Sequence, residues 1–383
     1  MVGRDSVEPR DSTAFKTMTP TEACIALNML PTMGPVRLRK LLEVFETPDR
    51  VLAARRDALR AVEGIGNDVA DQIVNWETTV DLQAELERIR EFGANVLTAE
   101  SPLYPRQLRE IHAPPIVLYV WGELIERDQH AIAVIGSRRT THYGMESAKK
   151  LSYQLAYAGL TIISGLARGI DTAAHQGALA AKGRTIAVIG SGLSKLYPPE
   201  NDALAEKIRN GNGAIVSEFS MEIEPDRQTF PMRNRIISGW SHGLLVVEAG
   251  LNSGALITVA QALEQGRSVY AVPGHINAPS AQGSNRLIQQ GAKLVMDASD
   301  LLDDLQILLP ETKPSPEAAV RALPLLTDDE RRVYDAIEAT ETPIDDIATK
   351  SELPSGTVSS ILLRLELKRL VKQLPGKYFV KLA

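Results

Sequence analysis

One cysteine, Cys24, stands in 383 residues. An internal disulfide and a cysteine-rich zinc site are therefore excluded, and a reducing cytoplasm is the expected compartment. No apolar run is long enough to cross a bilayer,. Met1 to Met18 are polar and mixed in charge, without the basic start and apolar stretch of a secretory signal, so no membrane insertion is expected,. An excess of positive charge is missing too, since the formal net charge is -6. Any nucleic-acid binding must come from a local basic groove, not from the global field. Catalytic signatures are also scarce. There is no H-E-x-x-H, no P-loop with its lysine and no G-x-G-x-x-G, and no serine nucleophile elbow is expected,. No metal or cofactor is specifically indicated.

What is present divides the chain. Residues 1–18 read as a disordered tail and 19–95 as a small all-helical domain. That domain holds two similar turns, Leu30-Pro-Thr-Met-Gly-Pro and Val62-Glu-Gly-Ile-Gly-Asn, each placing glycine just before an amphipathic helix,. The pattern resembles a SAM-like or helix-hairpin-helix module. Such turns can hold a DNA phosphate, although Glu63 and Asp68 are poor neighbours for one, and a plain helical bundle fits as well. From about Ala131 the pattern changes to aliphatic runs separated by helical stretches: Ile132–Ile135, Leu160–Ile163, Thr185–Ile189, Ala214–Val216, Leu244–Val247, Val269–Val272 and Lys293–Met296. Runs without polar alternation suit strands buried on both faces, and alternation with helices implies an α/β fold with a mostly parallel sheet over 96–308. Pro310 to Pro316 marks a linker, 309–324. Residues 325–383 read as three helices, from Asp328, Pro343 and Ser355, then a two-stranded ribbon, the plan of a winged helix. Acidic residues crowd its first part, and Arg364, Lys368, Arg369, Lys372, Lys377 and Lys381 its end. That basic end suits a phosphate backbone, while the acidic half and the near-neutral sum suit a protein partner equally well.

The richest segment is Phe230-Pro-Met-Arg-Asn-Arg-Ile-Ile-Ser-Gly-Trp240. Arginines hold phosphates, an aromatic ring offers a stacking face, and an amide can read or position. Glycine loops follow several of the runs: Gly136-Ser-Arg-Arg139, Ser164-Gly-Leu-Ala-Arg-Gly-Ile-Asp171, Gly190-Ser-Gly192 leading to Tyr197-Pro-Pro-Glu-Asn201, and Glu248 to Thr258. The first is expected to offer helix N-terminal amides and an arginine to an anion. Asp171 and His175, four apart, fit a base and its orienter. A helix cap and a helix contact are the expected roles. Glu248 fits a general base, but is expected to bind neighbouring amides and organise its loop.

Taken in order, Gly136-Ser-Arg138, Ser164 to Asp171 with His175, Phe230 to Ile237, Glu248 with Ser253 to Thr258, Pro273-Gly274 and Gly283-Ser-Asn-Arg286 resemble the DprA/Smf family of DNA-processing proteins. The resemblance implies an extended Rossmann core that binds single-stranded DNA, without established catalytic activity and without a cofactor. It implies a homodimer that delivers RecA recombinase onto the strand in natural transformation. Carried over by position, Gly136, Ser137 and Arg138 would form the phosphate site. Arg227, Phe230 and Arg233 would line the strand path, Phe230 against a base. Asn234 and Arg235 would complete the pocket or hold the loop. Leu287 to Leu301 would carry dimer and RecA contacts. Two other readings stand beside this one. A nucleotide-binding or nucleotide-hydrolysing enzyme of the related Rossmann-like superfamily is disfavoured by the absence of P-G-G-x-G-T. A regulator of duplex DNA acting through the winged helix is disfavoured by that segment's near-neutral charge.

Overall fold

The chain enters its main sheet through two strands that none of the seven aliphatic runs marks, β1 (Asn95–Thr98) and β2 (Val117–Gly122). The seven runs then supply β3 (Ala131–Ile135), β4 (Thr161–Ser164), β5 (Thr185–Val188), β6 (Gly213–Ser217), β7 (Gly243–Val246), β8 (Ser268–Ala271) and β9 (Lys293–Leu294). This computed structural model describes residues 18–305, 327–337, 342–367, 370–374 and 378–381. The expected tail (but for Met18) and the linker lie outside the described residues. Two compact units are present, Met1–Pro310 and Glu311–Ala383.

Strand order in the first unit is β1-β2-β6-β5-β4-β3-β7-β8-β9. From β6 to β9 every pairing is parallel; β2 is antiparallel to both β1 and β6. The chain therefore runs outward from β3 through β4, β5 and β6, then returns to place β7 on the other side of β3. That reversal is a topological switch point, where helices leave the sheet in opposite directions and open a crevice at the strands' carboxyl ends.

Successive side chains on a strand point to opposite faces, so both faces need cover. Ala133, Ile135, Ile163, Val188 and Leu244 pack beneath helices Thr229–Trp240 and Ala255–Glu264. Ile132, Val134, Ile162 and Leu245 pack beneath helices His142–Tyr157 and Ile170–Ala180. The continuous aliphatic runs are thus explained by burial on both sides.

The N-terminal helices are not a separate body. Gly34 and Gly66 cap helices Pro35–Phe45 and Asn67–Val74, as the two glycine turns imply. The helices then share one apolar core with Val117, Tyr119 and Trp121 of β2, Ile215 of β6 and Met221. A buried polar contact crosses the same seam: Glu85 Oε1, on helix Leu82–Phe92, accepts the Met221 N–H at 2.8 Å.

The second unit holds helices Asp328–Ala336, Ile344–Ser351 and Ser355–Leu367. Thr327 caps the first in a reciprocal box with Glu330,. The expected two-stranded ribbon, β11 (Val371–Leu374) with β12 (Tyr378–Lys381), gains a third short strand, β10 (Thr342–Pro343), against β12. Val333, Ile347, Val358, Leu362, Leu365, Val371 and Phe379 form its core. Lys381 sets its ammonium 4.9 Å from the Tyr334 ring centre. The side chains of Arg364, Lys368, Arg369, Lys372 and Lys377 lie outside the described residues.

Removing the Glu85 carboxylate leaves a buried N–H without its acceptor. Glu85→Ala is expected to lower the unfolding free energy by about 1–3 kcal/mol, with Glu85→Gln, which keeps an oxygen there, losing less. Urea unfolding of the three proteins checks this; equal midpoints would mean the seam holds through apolar packing alone.

Candidate nucleic-acid interface

A cleft of about 520 Å³ opens at the switch point. The loop after β3 contributes Gly136, Ser137, Arg138 and Arg139; the loop after β4 contributes Ala167; the segment after β7 contributes Ser253, Gly254 and Thr258. Helix Thr229–Trp240 turns Phe230, Arg233, Asn234 and Ile237 into it, spaced as one helical face,. Arg227 borders it from the preceding loop.

Arg138, Arg139 and Arg227 are exposed, and none has an ion-pair partner among the described residues. Arg227 sits among acidic residues in sequence, yet it forms no ion pair with any described one of them. Glu222 and Glu224 pair with Lys195 at 3.1 and 3.4 Å, and Asp226 accepts the Gln228 N–H at 2.7 Å. The Phe230 ring is half-buried, with the Arg138 guanidinium carbon 4.9 Å from its centre. Its flank lies against Gly190, where a Cβ would fall 2.9 Å from Phe230 Cδ1. The face expected to receive a base thus carries Arg138 in this state.

Two arginines of the motif have other tasks. Arg233, expected along the strand path, is 4% exposed. Its Nη1 donates to the Gly165 carbonyl at 2.6 Å and to the Val188 carbonyl, tying the ends of β4 and β5 to the helix. Burial lowers its pKa to about 10, partly offset by Asp171, so it stays charged at neutral pH. Nη2 has no protein acceptor among the described residues, and the side chain still borders the cleft. Arg235 does not border it. Its two terminal nitrogens donate to Glu218 at 2.6 Å each, and Nε donates to the Ala113 carbonyl at 3.0 Å. Of the two roles read for Arg235, the geometry matches holding a loop. Asn234 borders the cleft and accepts from Arg233 Nε at 3.3 Å.

Part of the helix N-terminus after Gly136-Ser-Arg-Arg139 is also capped from within, the Gly144 N–H by the Thr141 hydroxyl oxygen at 3.1 Å. Glu248, buried at the end of β7, reaches across to the N-terminus of helix His142–Tyr157. It accepts the Thr141 N–H at 2.8 Å, the Thr141 hydroxyl at 3.0 Å and the Thr140 hydroxyl. Burial pushes the Glu248 carboxyl up, but these bonds and one from Ser280 outweigh it and hold it below its ordinary value. The protein supplies its own anion at the positive end of that helix, where a phosphate was expected. Ser137 donates its N–H to the Glu248 carbonyl at 2.7 Å and its hydroxyl to the Arg139 carbonyl at 2.8 Å. The available cationic groups are the exposed arginine side chains.

Asp171 and His175 are both buried and do not pair. Asp171 Oδ2 accepts the Gly165 N–H at 3.1 Å and the Ala167 N–H at 3.4 Å. Gly165 must lack a side chain: a Cβ would fall 2.7 Å from both Arg233 Nη1 and Asp171 Oδ2. Thr185 gives its hydroxyl proton to the Ile162 carbonyl, so His175 Nδ1 donates to Thr185 Oγ1 at 2.7 Å. A serine in the string G-x-S-x-G does occur, at Gly239-Trp-Ser-His-Gly243. Ser241 is buried on a helix-to-strand turn and donates to the Ile237 carbonyl at 2.8 Å. The nucleophile elbow needs the opposite order, strand to helix, with the hydroxyl exposed. No group of three or more histidine, cysteine or acidic side chains among the described residues is placed to hold a metal, and no described helix is long and apolar enough to cross a membrane.

Residues 95–306 match the family model of DNA recombination-mediator protein A. Residues 314–377 match the DprA winged helix domain, and 25–75 a SAM-like helix-hairpin-helix tandem. Protein Smf of Synechocystis is 35% identical, over 92% of this chain and 96% of its own. Protein Smf of Escherichia coli is 42% identical, over 74% and 76%. The chain belongs to the DprA/Smf family. The crystal structure of DprA from Streptococcus pneumoniae superposes with a TM-score of 0.66 at 35% identity, covering 75% of this chain and 99% of that one. A DprA structure from Helicobacter pylori, described for its single-stranded DNA binding mode, gives 0.50 at 27% identity, over 57% and 97%.

Within the DprA/Smf frame, the structure adds cleft neighbours that the motif reading passed over. Arg139 stands beside Arg138 in the same loop. Tyr197 lies 6.1 Å from Phe230, ring centre to ring centre, and Arg168 lies 5.8 Å over Tyr197. Tyr197 and Arg168 come from different glycine loops, so no spacing in the sequence links them.

His175 sets a pH dependence. Burial first, then the Arg233 charge, lowers its pKa from 6.5 to about 3. Between those values the unfolded chain takes up a proton that the folded chain refuses. Its contribution is therefore fully present above pH 6.5 and is lost as pH falls, with a slope of up to about 1.4 kcal/mol per pH unit. Urea unfolding of wild type and His175→Leu from pH 7.5 to 4.5 should show a shallower pH slope in the variant. Parallel curves would mean that His175 is not desolvated.

Proposed function

We propose that this chain binds single-stranded DNA without sequence preference in the switch-point cleft and, as a homodimer, helps load RecA recombinase onto that strand during transformation or recombination. The observation that carries the reading is the grouping of three exposed arginines, Arg138, Arg139 and Arg227, none with an ion-pair partner among the described residues, around a half-buried aromatic, Phe230, in a protein of net charge -6. Phosphates of a strand meet guanidinium groups there, and an unstacked base meets the aromatic surface, each stacked base contributing about 1–3 kcal/mol. A duplex has its bases stacked internally and offers none to Phe230. Since Arg138 covers the ring, a bound base displaces its guanidinium toward the phosphate.

Several features support the finer parts. Gly136, Ser137 and Asn234 line the cleft, and Arg233 with Asp171 fixes its floor. The relative from Helicobacter pylori is described as binding single-stranded DNA. For the dimer, β9 is the last strand of the sheet, and beside it Leu294 and Met296 are 40% and 74% exposed. An open edge with exposed apolar side chains favours a second chain. RecA delivery rests on family membership.

Fluorescence anisotropy of labelled oligo-dT against a matched duplex, over a salt series, tests the reading. Wild type should prefer the single strand. Arg138→Glu should lose most of that binding while melting normally. Phe230→Ala should weaken binding with the salt slope kept. Duplex preference, or indifference to Arg138, would overturn the cleft as the DNA site. In light scattering, Met296→Lys should shift the protein toward monomer; an unchanged mass would move the dimer contact elsewhere.

A further inference from the structure

Beyond Phe230 the row of cations and rings continues over a second glycine loop. Arg138 lies on Phe230, Phe230 meets Tyr197 at 46° between ring planes, and Arg168 lies over Tyr197. Arg168 is exposed but not free. Its Nη2 donates to both carboxylate oxygens of Glu200, at 2.7 and 3.0 Å, and its Nε donates to Oε1 at 3.2 Å. A carboxylate held this way on a guanidinium has the geometry of a bidentate phosphate. We propose that Tyr197 and Arg168 form a second nucleotide step of the cleft, and that Glu200 occupies the phosphate position on Arg168 until a DNA strand displaces it. This inference rests on the single-stranded DNA reading above and deepens it.

The exchange is physically inexpensive. Both partners are solvent-exposed, and exposed ion pairs contribute roughly 0–1 kcal/mol. A phosphate replaces the carboxylate with the same number of charge-assisted bonds. Glu200 sits on a short turn, Pro199–Asn201, whose neighbour Asn201 is anchored: its amide donates to the Leu166 carbonyl at 2.7 Å and to Thr172 Oγ1 at 2.9 Å. The backbone stays put while the Glu200 side chain swings away. An isolated phosphate must compete with a tethered carboxylate and loses. A strand already anchored at Arg138 presents its next phosphate at high effective concentration and wins. The device therefore favours a continuous strand over free nucleotides and short fragments.

The test is anisotropy with labelled oligo-dT over a salt series, on the full chain, for wild type, Glu200→Gln, Arg168→Gln, the double variant, Tyr197→Ala and Arg138→Glu. Glu200→Gln should tighten binding several-fold with the salt slope kept, since Arg168 meets a phosphate in both complexes, whereas Arg168→Gln should flatten the slope by about 0.7, one phosphate contact fewer on a single strand. In the Glu200→Gln background, Arg168→Gln should remove most of that gain. Tyr197→Ala should weaken binding without changing the slope. Inorganic phosphate should compete better against Glu200→Gln than against wild type. A Glu200→Gln gain of equal size with and without Arg168 would mean general repulsion and overturn the masking role. If Arg168→Gln and Tyr197→Ala change nothing while Arg138→Glu abolishes binding, the second step alone is wrong. If wild type binds no oligo-dT, or Arg138→Glu is silent, the cleft reading falls and this inference with it.

Discussion

A single desolvated charge holds the cleft together. Arg233 sits beneath its floor and donates to main-chain carbonyls at the ends of β4 and β5. Removing one partner of a buried charged arrangement typically costs 3–5 kcal/mol, because the charge left behind has no solvent. Asp171 answers it, not by direct pairing but by holding the amides of the same glycine loop from the other side. Gly165 lies between the two, and any larger residue would push them apart. The loops that carry Arg168 and Tyr197 are therefore positioned from below by contacts to their backbone.

The distribution of charge follows the same logic. Acidic groups near the site are spent internally. Glu248 fills the N-terminus of helix His142–Tyr157, Glu218 holds Arg235, and Glu222 and Glu224 hold Lys195. What remains facing the cleft is positive, although the chain as a whole is negative. Local field, not net charge, decides whether a polyanion is attracted at short range, because screening by salt removes the influence of distant charges within about 10 Å.

Fold and site differ in how legible they are. The parallel strands announce themselves because burial on both faces demands unbroken aliphatic runs. β1 does not, since it is a short edge strand with exposed or half-buried side chains, and β2 belongs to the antiparallel edge outside the repeating pattern. The glycine turns at Gly34 and Gly66 are visible because helix starts are local. The union of the N-terminal helices with β2 and β6 is invisible, because Glu85 and Met221 are 136 residues apart.

The sequence by itself determined the alternation of strand and helix, the three helices of the C-terminal unit, and the set of glycine loops and arginines that the DprA/Smf family shares. Short-range chemistry suffices for these: residue period, capping and turn preference. Only the tertiary structure decided which arginine does what. Phe230-Pro-Met-Arg-Asn-Arg235 presents two similar cations, yet a helix turns one under the cleft and the other toward Glu218. The structure also decided that the Glu248 carboxylate sits at the N-terminus of the helix after the first glycine loop. Burial and partner choice depend on contacts between segments distant in the chain, and those exist only once the sheet has brought the loops to one edge.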